Sequence, residues 1–193
     1  MIKNLLIAAN RWWVNLRKYG DDLVDIFKPR GDVEAWLIHA HGPNKGQVAR
    51  VIKGRNIVTS WLSAGGAAPT SGRDLLRRIM VPSSFAGSLS SDANAVISYI
   101  ELGSGTTAET SADTALGAAI PGSKKAISDV VFDPLNPYVT FVTEWSEAEA
   151  NVTISEAALL SGRTPEDFVA RKTFGAFTKT SDFVLEIRWT IRF

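Results

Sequence analysis

The chain has no cysteine and only two histidines and two methionines in 193 residues. Without thiols it can form no disulfide, no thiolate metal site and no cysteine nucleophile. With so few imidazoles a Ser-His hydrolase has almost no base to draw on, and no Gly-x-Ser-x-Gly elbow is present. No apolar run approaches the roughly 20 residues needed to span a bilayer, so no membrane partner is expected. The apolar stretch Leu5 to Ala9 is too short for a secretory leader and is interrupted by Asn10 and Arg11. Net charge is only +1, which gives no global pull toward nucleic acid. No internal repeat, heptad array or low-complexity tract occurs.

What is present is an ordinary globular composition, 45% hydrophobic and 21% charged, enough for one domain with a substantial core and an appendage. The charge is uneven. Ten Lys and Arg stand against five Asp and Glu before Asn56, which hints that the N-terminal part meets a different surface, or simply carries a solvated basic face.

Ile2, Leu5, Leu6, Ala9, Trp12, Trp13, Leu16 and Tyr19 recur at helical spacing, with Lys3, Asn10, Arg17 and Lys18 on the other side. This predicts an amphipathic helix, followed after Gly20-Asp21 by a short second one that Pro29 and Gly31 stop. An apolar stripe with two tryptophans outside the main core would dock onto a partner or onto its own copies, although it could equally pack on its own domain. Residues 1–31 are therefore expected to be a helical assembly arm, with Leu5, Leu6, Trp12, Trp13 and Leu16 as its interface.

Residues 32–193 read as β. Asp32 to Ala40 and Gln47 to Lys53 are strands around a Gly-Pro-Asn-Lys-Gly turn. Gly54-Arg55-Asn56 is expected to open a third segment, Ile57 to Leu62, and Asp74 to Met80 a helix. Ile97 to Leu116 reads as a strand running into a loop, where Gly103 and Gly105 permit turn angles and Thr106, Thr107, Ser111 and Asp113 bond to nearby backbone. Gly117 to Lys125 is a further loop. Tyr138 to Trp145, Val152 to Leu160 and Asp167 to Phe174 are strands. The closing segment alternates strictly, with Phe183, Leu185, Ile187, Trp189, Ile191 and Phe193 on one face and Val184, Glu186, Arg188, Thr190 and Arg192 on the other. Strands joined by loops point to a mainly β domain, an antiparallel sandwich or jelly-roll-like barrel.

Sites are scarce. Gly103-Ser104-Gly105-Thr106 lacks the Gly-Lys-Ser/Thr of a phosphate loop and the third glycine of a dinucleotide loop. His39 and His41, two apart, would share a strand face, but no third ligand is evident. Glu144, Glu147, Glu149 and Glu156 could supply paired carboxylates. On a hairpin, however, Glu147 and Glu149 most simply keep its tip solvated. Basic residues interleave with aromatics only loosely, around Arg11 to Arg17. No catalytic, cofactor or metal site is expected, and no enzymatic activity.

The order of segments adds something. Gly54-Arg55-Asn56-Ile57-Val58-Thr59, Gly72-Arg73-Asp74-Leu75-Leu76, Ile97 to Leu116, Glu149 to Leu159, Ala170-Arg171-Lys172-Thr173-Phe174, Lys179-Thr180 and Leu185 to Ile191 follow one another as in structural proteins of tailed bacteriophages, which the chain resembles over residues 47 to 193. The resemblance implies a non-enzymatic virion component, a β-sandwich at the tail, neck or capsid surface. Such a protein assembles with itself as a homo-oligomer, and with other virion proteins, in the host cytoplasm. The other reading is a carbohydrate-binding, receptor-binding module with Trp36, Trp61 or Tyr138 as an exposed platform.

Overall fold

A computed structural model describes residues 30–58, 96–132, 138–162 and 168–192, which belong to a compact unit running from Arg30 to Arg192. The proposed N-terminal helix and its five interface residues lie outside the described residues, as do Trp61 and the helix expected at Asp74 to Met80. No helix occurs among the described residues.

The strands are β1 (Arg30–His39), β2 (Val48–Val58), β3 (Ile97–Gly103), β4 (Lys125–Ala126), β5 (Asp129–Phe132), β6 (Tyr138–Trp145), β7 (Thr153–Ser161), β8 (Phe168–Thr178) and β9 (Phe183–Arg192). All neighbours pair antiparallel, in the order β4-β3-β7-β8-β2-β1-β9-β6-β5. The hydrogen-bonded order is continuous, yet it is better described as two sheets. β2 follows β1 from Val48 to Asn56 and pairs with β8 through Ile57↔Arg171 and Val58↔Ala170. One strand thus turns the corner between sheet β2-β1-β9-β6-β5 and sheet β4-β3-β7-β8. Gly54-Arg55-Asn56 does not open a separate strand as the sequence suggested; it carries β2 toward that corner. The short β5 has only four residues, Asp-Val-Val-Phe, too few to show alternation in the sequence.

The β1–β2 turn closes with Gly46 donating to the His39 carbonyl at 2.8 Å and His39 to the Gln47 carbonyl at 3.0 Å. Gly42 and Gly46 take φ of 76° and 81°, a region that costs other residues steric strain.

One apolar cluster draws on both sheets: Val33, Ala35 and Leu37 of β1, Ile100 and Leu102 of β3, Phe141 and Trp145 of β6, Ile154 and Leu159 of β7, Phe177 of β8, and Leu185, Ile187, Trp189 and Ile191 of β9. The alternation in β1 and β9 has its cause here. One face of each strand enters this core and the other does not. β7 differs, being buried from Ile154 through Ser161 on both faces. Its outer face is covered by the chain between β3 and β4, which sets up the site below.

Candidate functional site

Glu156 and Arg171 form the most unusual cluster of the described residues. They lie on the outer face of sheet β4-β3-β7-β8, where Glu156 stands opposite Gly103 on one side and Thr173 on the other. Glu156 is fully buried and Arg171 nearly so. Oε2 of Glu156 accepts from Nε and Nη2 of Arg171, each at 2.7 Å. Oε1 accepts backbone N–H groups from Gly105 at 2.9 Å and Ala118 at 2.8 Å, while Gly117 donates to Oε2 at 3.1 Å. Five donors fill the lone pairs of one carboxylate. Arg171 goes on to donate to Asp113 Oδ2 at 2.9 Å and to the Thr107 carbonyl at 3.1 Å.

Every one of these partners belongs to the 104–119 loop, so the cluster fastens that loop across the sheet. Asp113 also accepts from the Thr110 N–H and hydroxyl, closing a local turn. One turn earlier, Glu109 binds Lys172 Nζ and the Thr173 hydroxyl of β8. A small apolar seam of Ala158, Leu160 and Phe168, with Tyr99 and Leu116 against it, completes the covered face.

The charge state follows from these contacts. Burial alone would raise the pKa of Glu156, but the N–H groups of Ala118 and Gly117, Arg171 and the Gly105 N–H together hold it below the ordinary 4.5. Asp113 is likewise pushed up by burial and pulled further down by Thr110 and Arg171. In Glu109 burial is outweighed by Lys172 and Thr173. A carboxylate so fully donated to is a poor proton acceptor, and the cluster acts as a lock.

The role of the two glycines also changes. The sequence suggests that Gly103 and Gly105 are needed for backbone angles, but neither has a positive φ. They are needed for space: a Cβ at Gly105 would lie 2.4 Å from Glu156 Oε1, and one at Gly103 2.5 Å from the same atom. Gly105→Ala must therefore displace the carboxylate from its donors. We expect it to destabilise the protein by about 1–3 kcal/mol, the usual range for overpacking. The contrast is Gly175→Ala on β8, where nothing lies near the added methyl. Equal urea midpoints for the two variants would show that the carboxylate yields without cost.

The other sequence candidates do not converge. His39 ends β1 with its ring 5.2 Å from Phe183, whereas His41 is exposed in the turn, so the two do not share a strand face. Among the described residues no three His, Asp or Glu gather as metal ligands. Glu144 is exposed on the far side of the other sheet, opposite Glu186. Glu147 is exposed, as expected of the hairpin tip, but Glu149 is not a free solvating group. Lys125 donates to it at 2.6 Å and the Ser146 N–H at 2.7 Å, lowering its pKa to about 2. Glu156, grouped with these in the sequence, is the buried clamp.

The outer face of sheet β2-β1-β9-β6-β5 carries a shallow concavity of about 500 Å³. Its charges run in stripes: Lys53 and Arg55 on β2, Asp32 and Glu34 on β1, Arg188 and Arg192 on β9. Lys53 pairs with Glu34 at 2.7 Å and Arg192 with Asp32 at 3.0 Å. Trp36 and Tyr138 lie on this face with guanidinium groups over their rings, Arg188 at 4.4 Å and Arg192 at 5.2 Å. A clamp of this kind leaves one trace in a sequence, a charged residue inside an apolar strand run. Glu156 within Ile154 to Leu160 and Arg171 within Phe168 to Phe174 both leave it.

Comparison with protein families, curated proteins and solved structures finds no match for this chain.

Proposed function

We propose that the protein is a non-enzymatic structural component of a tailed-bacteriophage virion, a β-sandwich that assembles with its own copies and with other virion proteins at the tail, neck or capsid surface. The observation that carries this reading is where the phage-like segments fall. Gly105, Thr107 and Asp113 in the Ile97 to Leu116 segment, Glu156 in the Glu149 to Leu159 segment and Arg171 in the Ala170 to Phe174 segment all belong to the clamp, which Gly117 and Ala118 complete from just past the first segment. The resemblance thus follows a device that makes a long loop part of a rigid surface, which a particle component needs and a mobile active-site lid does not. The sandwich description is supported by the core shared between the two sheets. A carbohydrate platform is the second reading. It would have to displace the guanidinium groups that lie over Trp36 and Tyr138.

Residues 1–31 act in this reading as the assembly arm, through Leu5, Leu6, Trp12, Trp13 and Leu16. A helix of that length is marginal alone in water and orders when docked, and tryptophans bury large area with little rotamer entropy lost. Light scattering should give the full chain a mass that is a fixed multiple of 20.9 kDa. A chain lacking residues 1–28 should unfold with unchanged cooperativity and have the mass of a monomer. A monomeric full chain would overturn the proposal, and a truncated chain that is molten would return the helix to the core.

A further inference from the structure

Lys179, just beyond β8, is 1% exposed, among the most buried side chains of the protein. Its Nζ donates to Asn151 Oδ1 at 2.9 Å, and it makes no ion pair with any described carboxylate. A buried ammonium with one neutral partner is a costly arrangement. Removing such an ion from water takes several kcal/mol even after relaxation, far more than one hydrogen bond to an amide returns. The burial of Lys179 disfavours its charged form. Burial lowers its pKa against the opposing fields of Glu149 and Glu147, and a desolvated neutral lysine is a nucleophile.

Its target is held in place. Asn151 Nδ2 donates to the Glu147 carbonyl at 2.8 Å, so the amide plane is fixed by a bond at each end. Ala150, immediately before it, has a φ of 50° although it is not glycine, a local strain that persists only where the surroundings enforce it. The Lys179 N–H bonds the Val152 carbonyl at 3.1 Å, fixing the two backbones side by side next to the last β7–β8 pair, Thr153↔Thr178. Because Oδ1 is bonded to Cγ, an amine at hydrogen-bond distance from that oxygen is close to attack range of the carbon.

We propose that Lys179 and Asn151 join in an intramolecular isopeptide bond. The lone pair of neutral Nζ attacks Cγ of Asn151 and the Nζ–Cγ bond forms. Within the tetrahedral adduct a proton passes from Nζ to Nδ2, the nitrogen that the Glu147 carbonyl holds in place. The Cγ–Nδ2 bond then breaks and ammonia leaves. No oxidant, reductant or further reactant is required. The product is a neutral amide in place of the buried charge, and it seals the open end of the β7–β8 hairpin, the end opposite its connecting turn.

Intact mass spectrometry of the purified full chain tests this directly. We expect a mass one ammonia lower than the sequence requires, and after digestion a branched peptide joining the segments that carry Asn151 and Lys179. Lys179→Met and Asn151→Ala should each restore the mass calculated for the unbridged variant. The wild-type measurement does not depend on whether those variants fold. A full wild-type mass, or an ammonia deficit mapped to a linear peptide, would overturn the proposal.

Discussion

Trp189→Ala should lower the stability of the protein by about 3–5 kcal/mol, the cost of removing a large aromatic side chain from a packed core. Trp189 has no exposed surface and sits in β9 between β1 and β6, opposite Val33 on one side and Phe141 on the other. Both neighbours are themselves buried, and the strands that carry them are tied into the sheet, so the walls can collapse only partly onto the hole. A domain of this kind is stable by only about 5–15 kcal/mol in total, so the variant should be visibly shifted in urea. Arg188, one residue earlier, gives the internal control. It faces the other side, pairs with Glu186 at 2.6 Å and lies over Trp36, and its side chain is 43% exposed. Arg188→Ala should cost less than about 1 kcal/mol, as exposed ion pairs do. Similar midpoints for the two variants would mean that the face assignment of β9 is wrong. Trp189→Phe should fall between them, because the indole N–H has no hydrogen-bond partner to lose.

Breaking the Glu156–Arg171 pair should be as damaging, for a different reason. Glu156→Ala removes the acceptor of three backbone N–H groups and leaves Arg171 with Asp113 as its remaining carboxylate. Loss of one partner from a buried pair typically costs about 3–5 kcal/mol, mostly the penalty of the charge left behind. Replacing both, as Glu156→Leu with Arg171→Met, removes that charge and should cost less than the sum of the single changes, by a coupling that a double-mutant cycle measures. Strict additivity would mean that the pair does not act as a unit. Acid reaches the same bond without mutation. Glu156, Asp113 and Glu109 have pKa values depressed by folding, so the folded state binds fewer protons than the unfolded chain. The stability they add is complete above the ordinary values of 4.5 and 3.8 and is lost as pH falls through the lower folded values. The amide resonances of Gly105, Gly117 and Ala118 should move together in that acid range, because all three donate to one carboxylate. Independent titration of the three would contradict the shared anchor.

Much of the β architecture is legible in the amino-acid order alone. The alternation from Phe183 to Ile191 and from Val33 to Ile38 sets which side chains enter the core, because successive residues of a strand point to opposite faces and one face here is packed. Tyr138 to Trp145 is bounded as its composition suggests. What the order of residues could not decide is everything that depends on contacts between distant segments. That β2 continues through Gly54-Arg55-Asn56 and turns from one sheet to the other is set by two different neighbours, β1 and β8. Gly103 and Gly105 looked like turn residues, yet their missing side chains make room for a carboxylate 51 positions after Gly105. Glu156 looked like one of four hairpin carboxylates, but its position beneath the 104–119 loop buries it and makes it the loop's anchor. Local pattern records the periodicity of a strand. It does not record which charge will meet which backbone donors, because that encounter exists only once the sheet has brought β7, β8 and the loop together.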